Sequence, residues 1–122
     1  MHGLISASLA AAMLFALAGC DKSKEEKAIG GDTRRGPVLM AQLGCGACHT
    51  VPGVRGARGR VGPALDHIGT QVVLVGTLPN TPANMLTWIK TPQAVRPADI
   101  MPNMGLNDHD ARDIAAYLYT LR

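Results

Sequence analysis

Aromatic side chains are almost missing from this sequence. Its 122 residues include one Phe, one Trp and two Tyr, and Phe15 falls in an uncharged N-terminal stretch, so only Trp88, Tyr117 and Tyr119 are left for a core. A small domain so poor in apolar bulk leans on disulfides, a metal or a cofactor. Cysteine is scarce too: Cys20 lies near the N-terminus, and only Cys45 and Cys48 lie in the body of the chain. No second CxxC and no HxxxH pair follows them, which removes the four-ligand set of a structural zinc site. Strand-like runs are reduced to Val72–Val75, flanked by glycines and too short and solitary to build a sheet. No apolar run reaches the roughly 20 residues that cross a bilayer comfortably.

What is present begins with an export-type signal. Charge is absent from Gly3 to Gly19, and the apolar stretch Leu4–Ala18 has the length of a signal core. Met1-His2-Gly3 brings no Lys or Arg, which leaves an uncleaved anchor open. Leu17-Ala18-Gly19-Cys20 resembles a bacterial lipobox, which implies a signal peptide over residues 1–19 and lipid attached at Cys20. Thioether-linked lipid with N-acylation gives the multi-chain anchoring that one acyl chain cannot. Asp21 resembles a retention signal for the inner membrane. Asp21–Gly31 is polar, ends in Gly30-Gly31 and offers one apolar residue, Ile29, with nothing to pack against. It is expected to be a flexible linker reaching up to roughly 40 Å. The remaining 32–122 form one domain.

Within that domain GCGACHT, Gly44–Thr50, admits three chemistries: a redox dithiol, half of a zinc site, or a haem attachment point. A thioredoxin-like dithiol follows a strand, whereas RRGPVLMAQLG before Cys45 places Val38, Leu39, Ala41 and Leu43 at helical spacing. Zinc lacks its other ligands, with only His67 and His109 scattered beyond. Haem attachment uses all three residues. Two thiols, Cys45 and Cys48, add to the two vinyl groups, His49 brings an imidazole under the iron, and the small Gly46 and Ala47 let the turn lie close. A ligating imidazole donates its other N–H to a fixed acceptor.

Cys45-Gly46-Ala47-Cys48-His49-Thr50, Val61-Gly62-Pro63-Ala64-Leu65, Trp88-Ile89 before Pro92, Met101-Pro102 and the C-terminal Ala116-Tyr117-Leu118 together resemble a class I c-type cytochrome. Residues 76–118 are especially similar to the cytochrome c domain fused to subunit II of some bacterial haem-copper oxidases. The resemblance implies an all-α small cytochrome c fold, about four helical segments around one covalently bound haem c. It implies Met101 as the distal ligand opposite His49, the Pro63 carbonyl as acceptor of the His49 imidazole proton, and Trp88 beside a haem propionate. Relatives often carry an arginine after the Gly69-Thr70 position; this chain has Gln71 there, so propionate contacts fall to Arg60 or Arg55.

The local signals agree with helices. Asn107 can cap the last one, with Asp108 and Asp110 in its first turn and Ala111, Ile114, Ala115, Leu118 and Leu121 at helical spacing. Thr81 can cap a helix starting at Pro82, with Met85, Trp88 and Ile89 as its buried stripe and Thr91-Pro92 as its stop. Pro37 is tolerated only in a first turn, so the first helix of the domain is expected to start near Arg35.

Met40 and Met85 read as core fillers, and Met104 rivals Met101 as the distal ligand; Pro102 fixes the backbone beside Met101 and so aims its side chain. His67 and His109 read as ordinary polar residues. With His49 and Met101 both bound, the iron is closed and the chain moves single electrons, with thioether ligation favouring the ferrous state. It is then an electron carrier without catalytic residues or small-molecule substrate, in the bacterial periplasm. Its partners would be redox proteins, a terminal oxidase or another respiratory complex among them. The competing expectation is a peroxidase-like enzyme or gas sensor with an open distal site. Twelve Lys and Arg stand against nine Asp and Glu, and Arg34, Arg35, Arg55, Arg58 and Arg60 cluster around the attachment segment, which reads either as a solvated basic loop or as a docking patch for an acidic partner. Nucleic acid is excluded by the export signal rather than by the charge.

Overall fold

Asn107 Oδ1 accepts the Asp110 N–H at 2.8 Å, and Thr81 Oγ1 accepts the Asn84 N–H at 3.2 Å, so both expected caps start the helices they mark. The computed structural model describes residues 22–122; the expected signal and Cys20 lie outside the described residues. Among the described residues five α-helices run in the order α1 (Lys24–Ile29), α2 (Arg35–Gln42), α3 (Pro82–Lys90), α4 (Pro92–Val95) and α5 (Asp108–Leu118). Two short strands, β1 (Val73–Val75) and β2 (Leu78–Pro79), lie between α2 and α3.

Helix α5 is the centre, contacted by α1, α2 and α3. Its expected stripe of Ala111, Ile114, Ala115 and Leu118 is buried, and Leu121 just beyond it is buried too. Met40 and Met85 fill the core around it. Helix α2 starts at Arg35 with Pro37 in its first turn, as the proline demands. It crosses α5 at Gly36, where a Cβ would stand 2.4 Å from Tyr117 Cβ and 2.6 Å from the Asp113 carbonyl oxygen. The crossing is fastened by charge. Arg35 reaches Asp110 Oδ1 at 3.2 Å and pairs with buried Asp113, whose Oδ1 accepts the Asp32 N–H at 2.7 Å. The cluster of His109, Asp110 and Asp113 therefore already holds a cation, the Arg35 guanidinium.

Two expectations are corrected. The stretch read as a flexible linker contains α1, started by Ser23 Oγ on the Glu26 N–H at 3.1 Å and ended by Gly30 at φ 69°. Ile29 is 2% exposed against the core, its carbonyl accepts from Arg112 at 3.1 Å, and Gly31 passes so close that a Cβ would meet the Arg112 carbonyl at 2.2 Å. The lone apolar residue has a partner surface, far away in sequence. The second correction concerns the sheet: Val73–Val75 does pair, antiparallel to Leu78–Pro79, making a small ribbon in a fold that is otherwise helical, the domain from residue 32 onward holding the four expected helical segments as α2 to α5.

Asn80 ties that ribbon to the core. Its Nδ2 donates to the Ile68 and Gln71 carbonyls, both at 2.8 Å, and its Oδ1 accepts from the Tyr119 hydroxyl at 2.9 Å. Burial, together with Glu25, pushes the Tyr119 hydroxyl up to about 12, so it remains a donor throughout the neutral range.

Candidate functional site

Helix α2 delivers the chain to the cysteines. Gly44, at φ 78°, ends the helix in the left-handed conformation, and Cys45–Ala47 continue as a single 3-10 turn. Cys45 and Cys48 are free, half-buried thiols. The backbone of this turn is held by the loop that follows it: the Gly59 N–H reaches the Gly46 and His49 carbonyls at 3.0 and 3.2 Å, and the Gly62 N–H reaches the Cys48 carbonyl at 2.8 Å. Small residues make that approach possible. A Cβ on Gly46 would stand 2.6 Å from Ala57 Cα, and one on Gly59 would stand 2.5 Å from the Ala47 carbonyl group. The loop between them folds inward on buried Val51, Val54 and Ala57.

His49 is fixed at one nitrogen only. Its Nδ1 lies 2.7 Å from the Pro63 carbonyl oxygen. A carbonyl only accepts, so Nδ1 carries the proton and Nε2 is the nitrogen with a lone pair to offer. Gly62 lies flat under the ring, where a Cβ would meet Cε1 at 2.3 Å and Nδ1 at 2.7 Å.

Met101 is half-buried and packs against the buried core, as do Leu43, Cys45, Leu65, Leu74, Trp88 and Leu106. Sequence reasoning missed what holds it. Asp99 Oδ1 accepts the Met101 N–H at 2.9 Å, and Gln93 Nε2 donates to the Met101 carbonyl at 2.6 Å. An Asp two residues before the methionine, the spacing of an Asx turn, was the available signal. Trp88 lies on the half-buried flank of α3 beside buried Met85 and Ile89. Met104 is half-buried on the same loop. His67 is exposed beside Asp66, and His109 is exposed in the Arg35 cluster.

The arginines divide into two groups. Arg34 pairs with Asp32 at 3.1 Å, its guanidinium and N–H holding that carboxyl down at about 2, and Arg35 is committed to α5. Of the five expected in one patch, Arg55, Arg58 and Arg60 remain exposed without an ion pair among the described residues, and Gln71 is exposed as well.

These residues fit a large, flat, apolar group carrying a soft metal better than the other two chemistries. A helix, not a strand, precedes Cys45, and burial pushes its thiol up, opposite to the lowered thiol of a dithiol oxidoreductase. Zinc would need partners for Cys45, Cys48 and His49; among the described residues the grouping of three or more potential ligands lies elsewhere, at His109, Asp110 and Asp113. A covalent haem would use both thiols, one imidazole nitrogen, a thioether and half-buried apolar side chains such as Leu43, Leu65, Leu74 and Trp88, which pack on the core and are not fully covered.

Comparison with known proteins agrees. The family model described as Cytochrome c matches residues 33–122. Cytochrome c oxidase subunit 2 of Alkalihalophilus pseudofirmus is 30% identical over 89 residues, which cover 72% of this chain. The matched region spans 25% of that relative's length.

Proposed function

The chain belongs to the cytochrome c family, and from that premise we propose that it carries single electrons to a terminal oxidase or another membrane respiratory complex. The family implies a covalently bound haem c, an electron-transfer role and redox proteins as partners. When bound, that haem supplies a one-electron ferric–ferrous couple.

Cys45 and Cys48 would bind it through thioethers, and His49 Nε2 and the Met101 sulfur would bind its iron. The observation that carries this assignment is the 2.7 Å bond from His49 Nδ1 to the Pro63 carbonyl, which leaves Nε2 as the donor and fixes the ring plane. As a soft thioether, Met101 would favour the ferrous state and so a high potential, suited to a late step toward an oxidase. Half-buried Leu65, Leu74 and Trp88 would supply apolar surface to the bound group. Trp88 would flank a propionate, and Arg55 or Arg60 would neutralise one. No side chain is required to take up or release a proton.

The oxidase assignment rests on the relative's name and on the surface around the site. Val61 beside Gly62 is 66% exposed, and Ile100 beside Met101 is 80% exposed; the exposed Arg55, Arg58 and Arg60 precede Val61 in the chain. Exposed apolar residues and exposed arginines in the segments next to the ligands suit a brief encounter with an acidic partner. Electron transfer to that partner should slow as ionic strength rises, in stopped-flow traces; a salt-independent rate would remove the arginines from docking.

Export to the periplasm and lipid at Cys20, with retention at the inner membrane, complete the proposal. Helix α1 changes its geometry. Three residue steps from Cys20 to Ser23 span no more than roughly 11 Å, so the domain would ride close to the lipid rather than swing on a long leash.

The deciding measurement is the optical spectrum of the matured protein, oxidised and reduced, with carbon monoxide added. A sharp reduced α-band, no carbon monoxide binding, and a near-infrared sulfur band lost in Met101→Ala but kept in Met104→Ala are expected. A high-spin spectrum with ready carbon monoxide binding would overturn the electron-carrier proposal in favour of an open-site enzyme or sensor.

A further inference from the structure

Met101 is gripped on both sides of its own backbone. Asp99 Oδ1 accepts its N–H at 2.9 Å, and Gln93 Nε2 donates to its carbonyl at 2.6 Å. The same Gln93 amide nitrogen donates to the Asp99 carbonyl at 3.1 Å, so one side chain spans the loop from residue 99 to residue 101. Both gripping residues are themselves anchored. Gln93 sits in α4 directly after Pro92, one of the most deeply buried residues in the chain. Asp99 is 14% exposed, its N–H reaches the Arg96 carbonyl at 2.9 Å, and its Oδ2 lies 3.3 Å from the Arg96 guanidinium. Pro102 then fixes the backbone on the far side of the methionine. Met104 has no such grip: the side-chain bond next to it, Asn103 to the Gly105 N–H at 2.9 Å, passes it by.

We propose that Gln93 and Asp99 are positioning residues that hold the Met101 thioether at the iron, a role that rests on Met101 being the distal ligand. A single thioether is a weak ligand on a loop that could otherwise swing, so its occupancy depends on how much of the time the loop stays in place. Two hydrogen bonds to one residue's backbone set that fraction in advance. Their loss lets the loop leave more often, and a competing ligand then binds with an affinity scaled by the open fraction. The grip also favours Met101 over Met104, since only one of the two methionines has its backbone held in place.

Imidazole is the competing ligand for the test, titrated into the haem-loaded chain while the near-infrared sulfur band and the Soret band are followed. Gln93→Leu and Asp99→Ala are expected to bind imidazole about tenfold more tightly than the wild type, and to lose the sulfur band at a lower temperature. Asp99→Asn keeps an oxygen that can accept the Met101 N–H and should behave as the wild type does. This conservative variant covers the case in which Asp99→Ala folds poorly, and far-ultraviolet circular dichroism of each variant reports on folding. Wild-type imidazole affinity in both Gln93→Leu and Asp99→Ala, with Met101→Ala opening the iron, would overturn the grip and leave the ligand assignment standing. A sulfur band retained in Met101→Ala would overturn both. Asp99→Asn falling together with Asp99→Ala would show that charge rather than the acceptor oxygen matters, and the grip as stated would be wrong.

Discussion

Gly36→Ala should lower the stability of the haem-loaded protein by about 2 kcal/mol, although alanine is the better helix former by roughly 1 kcal/mol. The reason is the crossing of α2 with α5. The added methyl would stand 2.4 Å from Tyr117 Cβ and 2.6 Å from the Asp113 carbonyl oxygen, and neither is the tip of a flexible side chain. The helices must therefore part. Parting loosens the Arg35 pair with Asp113 and the 2.7 Å bond from the Asp32 N–H to Asp113, both on the same face of the contact. A thermal melt should show the midpoint falling by about 10 °C, since 1 kcal/mol moves a domain of this size by roughly 4–8 °C. Equal or greater stability in Gly36→Ala would mean that propensity wins and the helices have room to spare.

Features carried by neighbouring residues were legible in the sequence. The CGACH turn, the Asn107 and Thr81 caps, the start of α2 ahead of Pro37 and the buried stripe of α5 all depend on spacings within one or two turns of helix. The misses share a different cause. Ile29 looked stranded because the surface that buries it belongs to α5, with its carbonyl bonded to Arg112, 83 positions away. The ribbon was hidden because its second strand is two residues long and ends in Pro79, which no periodicity can register. Arg34 and Arg35 looked like free surface charge because their partners are an Asp two residues back and two Asp residues in the last helix. Gln93 escaped notice because its bonds go to backbone carbonyls six and eight residues on, which any residue type offers, whereas Asp99 left the Asx-turn spacing as a signal that went unread.

Gly62→Ala should disturb the site more than any substitution of Pro63. The two positions act differently on His49. Pro63 contributes its carbonyl oxygen, which Pro63→Ala retains, so the 2.7 Å bond to Nδ1 can persist in that variant. Gly62 contributes the absence of a side chain. A methyl there would overlap the imidazole at 2.3 Å from Cε1 and 2.9 Å from Nε2, and the Gly62 backbone cannot retreat while its N–H is bonded to the Cys48 carbonyl at 2.8 Å. Either the ring turns, giving up Pro63 and moving Nε2 off its line, or the 59–62 loop lifts from the CGACH turn. Overpacking of this kind costs about 1–3 kcal/mol. The thiols are not displaced by a turned ring, so haem attachment through Cys45 and Cys48 should survive while the iron loses its proximal nitrogen in part of the population. Gly62→Ala is therefore expected to show covalent haem by mass, a mixed or high-spin oxidised spectrum and carbon monoxide binding, with Pro63→Ala close to wild type in all three. A wild-type spectrum for Gly62→Ala would mean that the ring can shift without leaving the iron, and the Pro63 carbonyl would then not be what sets its orientation.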